Sequence, residues 1–388
     1  MDLSGTFVLD FGFESSNLMM RSRLVVFIAV FQSVLILGHV FLYETWTYFW
    51  RAPDPPGISP LQLTLGILSI SFLVTSLLAF RYTNPLLRWL YTGAAVWLGA
   101  LSFLFFAACA CWAVYGVARL TGATVNGRLL DLALFGTAAA VSGYGVINAA
   151  WTRVRRVSVK LPNLPASWRG RTAALISDLH LGHVKNTRFA RRMTAIINRL
   201  KPDIVWIAGD LYDGTAVDAK RAASPLKELQ PPLGTFFVEG NHEEFRDPAK
   251  YLEAVRASGV RVLNNEKAEV DGLQILGVPY RHATHASHFG SVLEAMEIDR
   301  ERASVLLTHA PDHVAVAEAA GIGLQVSGHT HLGQFIPYTW IAARMYREFV
   351  YGLNRIGKML VYTSSGAGTW GPPLRVGSQP EIVLFQFE

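Results

Sequence analysis

The sequence predicts two unlike halves: four apolar helices able to cross a membrane, then an α/β domain with largely parallel strands. Three observations predict this. Composition changes near residue 152, with ten of the eleven histidines beyond it. Ahead of that point lie four apolar stretches, each reaching the ~20 residues that a helix needs to span hydrocarbon. Beyond it, short apolar runs alternate with amphipathic stretches, the pattern of strands joined by crossover helices.

With 388 residues the chain has room for two or three domains. The expected divisions are a tail at 1–20, four transmembrane helices at 21–152, a basic linker at 153–171 and a domain at 172–388. The net charge of +6 and pI near 9.3 could suggest nucleic acid. However, the basic residues are scattered or lie beside apolar spans, so no nucleic acid is expected and membrane lipids are the predicted partners. Nothing in the sequence fixes an oligomeric state. Cys109 and Cys111 lie two apart in one apolar span and face different sides of a helix, which argues against a disulfide between them.

The chain in order begins with a segment carrying only acids, read as a dispensable tail or a start placed upstream of Met19 or Met20. The spans are expected at 24–43, 61–80, 89–117 and 132–151. The first has the basic flank Arg21 and Arg23 but no small-x-small cleavage site, so it is read as retained. The third is overlong and is expected to tilt or end early. No span carries a charge in its interior, with Asp131 just outside the fourth, which argues against an ion pathway. Arg21, Arg23, Arg81, Arg88, Arg153, Arg155, Arg156 and Lys160 flank the spans on one side, against Arg51, Arg119 and Arg128 on the other. That bias predicts a multi-pass protein of the cell (inner) membrane with its second half in the cytoplasm.

In the second half the apolar runs are 173–176, 204–208, 235–238, 273–278, 304–307 and 324–326, with amphipathic segments at 188–200, 218–229, 248–258 and 313–320. Two later runs, 359–363 and 382–387, have no helix between them and are expected to add an antiparallel portion.

The residues at the end of each run carry the chemistry. The first run ends in Ser177-Asp178-Leu179-His180 and the second in Gly209-Asp210-Leu211-Tyr212-Asp213. The third gives Gly240-Asn241-His242-Glu243, the fifth Thr308-His309, and the sixth Gly328-His329-Thr330-His331. Carboxyl ends of strands in open α/β sheets converge on one crevice. A single Asp-x-His at a strand end is readily a turn residue; five polar sets at the same structural punctuation point to one site.

This ordered set, Asp-x-His, Gly-Asp-x-x-Asp, Gly-Asn-His-Glu, a lone His and Gly-His-x-His, resembles the calcineurin-like metallophosphoesterase superfamily over about residues 172–388. Gly333-Gln334, Ser365-Gly366-Ala367-Gly368, Arg375 and Pro380-Glu381-Ile382 resemble a bacterial branch whose members are often membrane-attached. The resemblance implies a metallophosphoesterase-type sandwich of two mixed β-sheets flanked by helices. By position it implies that Asp178, His180 and His331 hold one divalent metal ion. Asn241, His309 and His329 would hold a second, with Asp210 bridging. Such a mixed O/N donor set suits Mn, Fe, Zn or Co better than Mg or Ca. Two cations ~3.5–4 Å apart polarise one water and clamp phosphoryl oxygens. The resemblance further implies that His242 stabilises the phosphoryl group or protonates the leaving oxygen, with Asp213 orienting its other nitrogen.

Gly214 stands where protein phosphatases of this superfamily usually carry Arg, which weakens a protein-phosphatase reading. Glu243 is read as shaping its loop. His183, His282, His285, His288 and His313 are left over, and the spacing of 282, 285 and 288 is read as a loop or helix face rather than a third metal site. The stretch 335–351 is aromatic and aliphatic, either core or an apolar lip beside the site. With four spans in front, it favours hydrolysis of a phosphoester or pyrophosphate in a phosphorylated, lipid-linked small molecule. The alternatives are a phosphodiesterase for soluble nucleotides with the helices only as anchor, and a non-catalytic membrane sensor or scaffold. The intact ligand set with His242 argues against the last.

Overall fold

The computed structural model describes residues 18–51 and 57–388, with side chains from residue 23 onward. The tail expected before residue 18 lies outside the described residues. Four helices come first: α1 (Leu18–Trp50), α2 (Pro60–Ala79), α3 (Pro85–Thr121) and α4 (Gly127–Ala150). All four are long and apolar enough to cross a membrane. Ser59, Asn84 and Asn126 each accept a hydrogen bond from a backbone N–H in the first turn of α2, α3 and α4, which fixes where those helices start. Val34 and Leu37 of α1, Leu63 and Ile67 of α2 and Leu129 and Ile147 of α4 point outward, as lipid-facing side chains do. Ala94, Ala95, Ala107 and Ala108 of α3 are buried, and α3 packs on the other three helices, while Gly99 gives room to Leu374 and Pro372 of the second domain.

Two expectations about the spans need correction. Asp131 is not outside the fourth: Asn126 starts α4 early, and Asp131 lies in its second turn, fully buried, accepting from Trp50 Nε1 at 2.8 Å. Nor does the third end early. Its 37 residues run unbroken, about 55 Å at 1.5 Å per residue against ~30 Å of hydrocarbon. The N-terminal half of α3 lies against the second domain, where Tyr91 meets His183 and Phe103 meets Phe335.

Residues 153–171, expected as a linker, belong to the domain. β1 (Arg153–Val159) pairs in parallel with the last strand, Arg153 opposite Glu381. It reads as a linker because it is an edge strand whose arginines face outward. After it, Trp168 is completely buried in the domain core.

The chain continues through β2 (Thr172–Ile176), α5 (Thr187–Leu200), β3 (Ile204–Ala208), α6 (Ala219–Ala223), β4 (Thr235–Val238) and α7 (Pro248–Arg256). Next come β5 (Arg261–Val262), β6 (Glu266–Val270), β7 (Leu273–Val278), α8 (Tyr280–Ala283), α9 (Ala286–Ala295) and β8 (Ser304–Thr308). It closes with α10 (Val314–Ala320), β9 (Leu324–Ser327), α11 (Tyr338–Tyr346), β10 (Gly352–Ile356), β11 (Met359–Thr363) and β12 (Glu381–Phe387).

These strands form two mixed six-stranded sheets, ordered β1-β12-β2-β3-β4-β5 and β10-β11-β9-β8-β7-β6. Trp206, Tyr362, Phe385 and Phe387 fill the space between them. The outer face of the first sheet is covered by α5 and α7 through Met193, Ile197, Leu252 and Val255, and that of the second by α9 and α10 through Phe289, Leu293 and Ala317. Burial on both faces is why the central strands read as continuous apolar runs. The runs 359–363 and 382–387 do not pair with each other. β11 lies in the second sheet, antiparallel to β10, and β12 in the first, antiparallel to β2. The chain therefore crosses from one sheet to the other between them, and that crossing passes the site.

Candidate metal centre

The polar loops come from both sheets and converge on one place. β2, β3 and β4 of the first sheet deliver Asp178 and His180, Asp210 and Asp213, and Asn241 and His242; β8 and β9 of the second deliver His309, His329 and His331. Five of these residues hold left-handed backbone: Asp178 (φ 54°), His180 (48°), Asp210 (52°), His329 (69°) and His331 (48°). Such a conformation costs an L-residue on the order of 1–3 kcal/mol and persists only where the surroundings enforce it.

The enforcing bonds come from neighbouring loops. Asp178 accepts from the His329 N–H at 3.1 Å, and Asp210 Oδ1 accepts from the His242 N–H at 3.0 Å. The Glu243 carboxylate accepts from the backbone N–H groups of Asp210 (3.0 Å), Tyr212 (3.1 Å) and Gly240 (2.8 Å), so it ties two loops together. A side chain at Gly240 would strike the Asp210 carboxylate, and one at Gly328 the Asp178 carboxylate. Those contacts explain the glycine that opens both the Gly-Asn-His and the Gly-His-x-His motifs.

Three groups of potential ligand atoms result, each within 4.8 Å: Asp178, His180 and His331; His180, Asp210 and His242; Asp210, His309 and His329. Asn241 Oδ1 joins the last at 3.1 Å from His329 Nδ1. His309 Nε2 is 3.1 Å from Asp210 Oδ2, and His180 Nε2 is 3.0 Å from His331 Nε2. All nine sequence-predicted site residues thus meet in one place.

The electrostatics fit cations. Burial opposes charge on His309, but the Asp210 carboxylate outweighs it and raises the imidazole to about 10. Burial likewise opposes the charge on Asp210, yet His309 and His242 hold it well below the usual carboxylate range. Asp210 thus stays an anion for a cation to meet, and His309 would release its proton when a cation binds. Burial drives Asp178 up to about 6. It drives His329 down to about 3, and His180 and His331 well below 6.5, leaving neutral rings with lone pairs to offer. His309 Nδ1 faces the Ala208 carbonyl at 2.8 Å, which turns Nε2 into the cluster. This crowding of oxygen acceptors and imidazoles suits divalent cations of borderline softness.

Asp213 acts differently from expectation. Its main-chain carbonyl, not its carboxylate, faces His242 Nδ1, at 3.0 Å. The carboxylate is turned toward Thr215 Oγ1 (3.4 Å) and His180 Nδ1 (3.9 Å). His242 Nε2 is left facing the cluster, 3.9 Å from Asp210 Oδ2, with its ring against Phe245 and Trp370. His282 and His288 pack on each other, and neither they, His285 nor His313 joins a metal-ligating group among the described residues.

Sequence reasoning gave no role to two residues that tie the site to the helices. Arg375 is wholly buried and donates to the His331 carbonyl (2.9 Å) and to the carbonyls of Ser365 and Gly368 (both 2.7 Å), with a guanidinium nitrogen 3.1 Å from His331 Nδ1. Its backbone N–H donates to Gly145 O, and its carbonyl accepts from Asn148 Nδ2, both on α4. His183 faces the Tyr82 carbonyl between α2 and α3 at 2.9 Å and Thr215 Oγ1 at 3.2 Å. The only signal for His183 was its place three residues after His180.

A two-sheet sandwich with such a cluster where its strand ends meet has the architecture of a metal-dependent phosphoesterase. Residues 172–333 match the family described as calcineurin-like phosphoesterase, and the chain belongs to it. It is 32% identical over 254 residues to an uncharacterized metallophosphoesterase of Aquifex aeolicus, covering 63% of this chain and 95% of that one. It is 34% identical over 271 residues to a Danio rerio protein named as a transmembrane protein with metallophosphoesterase domain, covering 66% of this chain and 62% of that protein. An uncharacterized metallophosphoesterase of Campylobacter jejuni is 32% identical over 251 residues, covering 63% of this chain and 66% of that protein. The chain thus spans under two thirds of the length of these last two relatives. It is a membrane protein with a metal-dependent phosphoesterase domain.

Proposed function

We propose that the chain hydrolyses a phosphoester or pyrophosphate bond in a lipid-linked substrate, using two divalent cations (Mn, Fe, Zn or Co). Asp178, His180 and His331 would hold one, Asn241, His309 and His329 the other, and Asp210 would serve both. Bound there, the cations supply Lewis acidity and positive charge for in-line displacement at phosphorus. His242, its Nδ1–H donated to the Asp213 carbonyl, turns Nε2 to the cluster; after taking a proton there from solvent or from the attacking water, the imidazolium would hand it to the leaving oxygen and return to the neutral ring. The Asp213 carboxylate, 3.9 Å from His180 Nδ1, would orient that ring by closing to hydrogen-bond distance once the cations are bound.

The observation that carries the lipid reading is α11. Phe335 before it and Ala342 within it are buried, but Trp340, Ile341 and Met345 are 67%, 53% and 60% exposed. Tyr346 at its end lies 6.2 Å, ring to ring, from His329. Trp370, 57% exposed, lies 5.8 Å from His242 on another side. An apolar ledge thus begins at the cluster, while Phe335 touches Phe103 of α3. A substrate with its phosphate at the cations and its tail along this ledge keeps the tail out of water. The excess of Lys and Arg on one side supports a domain on the cytoplasmic face of the inner membrane. The Ala216 N–H donates to the Ala79 carbonyl, so the end of α2 and the domain share that side.

The test compares full-length protein in detergent on a long-chain and a short-chain alkyl ester of the same phosphate. The long-chain ester is expected to be preferred, and W340S/I341S/M345S to raise its KM about tenfold, the scale of about two methylenes of the tail losing their apolar cover, leaving the short ester unchanged. Equal KM values for both esters in both proteins would remove the lipid reading. Unchanged turnover in Asn241→Ala would remove hydrolysis altogether.

A further inference from the structure

A cavity of about 730 Å³ lies between the first turns of α3 and the loops that follow β2 and β3. Arg88 of α3, Arg188 of α5 and Arg221 of α6 line it, with Asp218 as the opposing acid. None of the nine residues of the candidate metal centre lines it. Arg188 and Arg221 are exposed and make no salt bridge among the described residues. Arg88 has one long contact, from Nε to the His183 carbonyl at 3.5 Å. Asp218 is already engaged, accepting from the Arg221 backbone N–H at 3.0 Å as the cap of α6. Arginines from three separate elements therefore line one cavity against a single acid, an excess of two positive charges.

Trp89 also lines the cavity and is 79% exposed; beside it Leu86 and Leu90 are 69% and 53% exposed. Arginine forks match phosphate oxygens in pairs, and tryptophan favours the boundary between headgroups and acyl chains. We infer that this cavity is a second anion site, separate from the metal centre, that takes a net-anionic phosphate group. A lipid headgroup at the bilayer surface fits the exposed Leu86, Trp89 and Leu90; free phosphate has the same chemistry. The inference does not depend on hydrolysis, since it rests on a different set of side chains. His183 forms part of the wall between the two sites, lining the cavity while its Nδ1 lies 3.2 Å from Thr215 Oγ1.

The experiment places full-length protein in phosphatidylcholine nanodiscs and measures retention of added phosphatidic acid by native mass spectrometry, with inorganic phosphate as competitor. Phosphatidic acid is expected to be retained over phosphatidylcholine. R188Q/R221Q, at two exposed positions, is expected to lower that retention at least about tenfold, as for loss of charge-assisted bonds. Asn241→Ala is expected to retain the lipid fully, which separates this site from the metal centre. Inorganic phosphate that fails to compete assigns the site to lipid; phosphate that competes fully assigns it to the soluble ion. Retention unchanged in R188Q/R221Q, or equal for phosphatidic acid and phosphatidylcholine, overturns the inference.

Discussion

Polar side chains are buried in both halves of the molecule, but in different ways. In the helix bundle they come as separate pairs: Trp50 to Asp131 at 2.8 Å, Trp97 to His39 at 2.8 Å, Trp112 to Thr45 at 2.9 Å. Each indole N–H meets one acceptor on ordinary helical backbone. At the metal centre the groups crowd instead, with His180 Nε2 against His331 Nε2 and His329 Nδ1 within 3.2 Å of both His309 Nε2 and Asn241 Oδ1. Five of the residues there also hold left-handed backbone. Isolated pairs specify how helices pack. A strained cluster of crowded oxygens and imidazoles is the arrangement expected of a site that binds a cation.

The largest test of that contrast is a matched pair of substitutions. Asp210 belongs to two of the three ligand groups. Asp210→Ala is expected to drop bound metal, measured by elemental analysis, from about two ions per chain to fewer than one, and kcat by ~10²–10³ or more, the scale of losing an electrostatic group at a reacting centre. Trp50→Phe leaves buried Asp131 without its indole partner. It is expected to cost about 1–3 kcal/mol of stability while metal content and kcat stay as they were. Comparable metal loss in both variants would erase the distinction between cluster and pairs.

A finer distinction separates ligands from the residue beside them. His242→Ala is expected to lower kcat by ~10²–10⁴ with metal content unchanged. Asp213→Asn leaves the carbonyl that fixes His242 in place. Its loss is therefore expected at ~10–100-fold, the scale for a group that orients a metal ligand, through His180 and with weaker metal retention. If Asp213→Asn instead matched His242→Ala with full metal content, the carboxylate would be acting on His242 after all.

The same contrast explains what the sequence could tell. Strands at 204–208, 235–238, 273–278 and 359–363 stand where apolar runs predict them, because sheet and helix layers bury both faces. β1, β6 and β10 escaped notice because they are edge strands: Arg153, Arg155, Glu266, Lys267 and Arg355 face outward and hide the alternation. The histidines and acids of the centre were legible since each comes just after an apolar run. Their backbone strain was not, because it is imposed by partners such as Glu243, which spans two loops. Nor was the split of Asp213 into a carbonyl for His242 and a carboxylate for His180, since Thr215 draws the side chain away. The reach of Arg375 to α4 joins residues more than two hundred positions apart, a pairing no local pattern encodes.

That link gives the smallest expected effect, and it bears on whether the helices only anchor the domain. Asn148 Nδ2 donates to the carbonyls of Arg375 (2.9 Å) and Ser378 (3.0 Å) from the last turns of α4. Arg375 in turn holds the carbonyl and Nδ1 of His331. Asn148→Ala removes both donations without touching any ligand. Groups bonded directly to a ligand change metal affinity ~10–100-fold when removed; one residue further out, the expected loss is below about tenfold. It should fall on the ion held by Asp178, His180 and His331, while the ion held by Asn241, His309 and His329 reloads normally. Titrating metal into chelated protein resolves the two steps. An equal shift in both would point to general loosening of the domain, and no shift would reduce α4 to a tether. A shift confined to the first ion would mean that a membrane-embedded helix sets the affinity of a site it never touches.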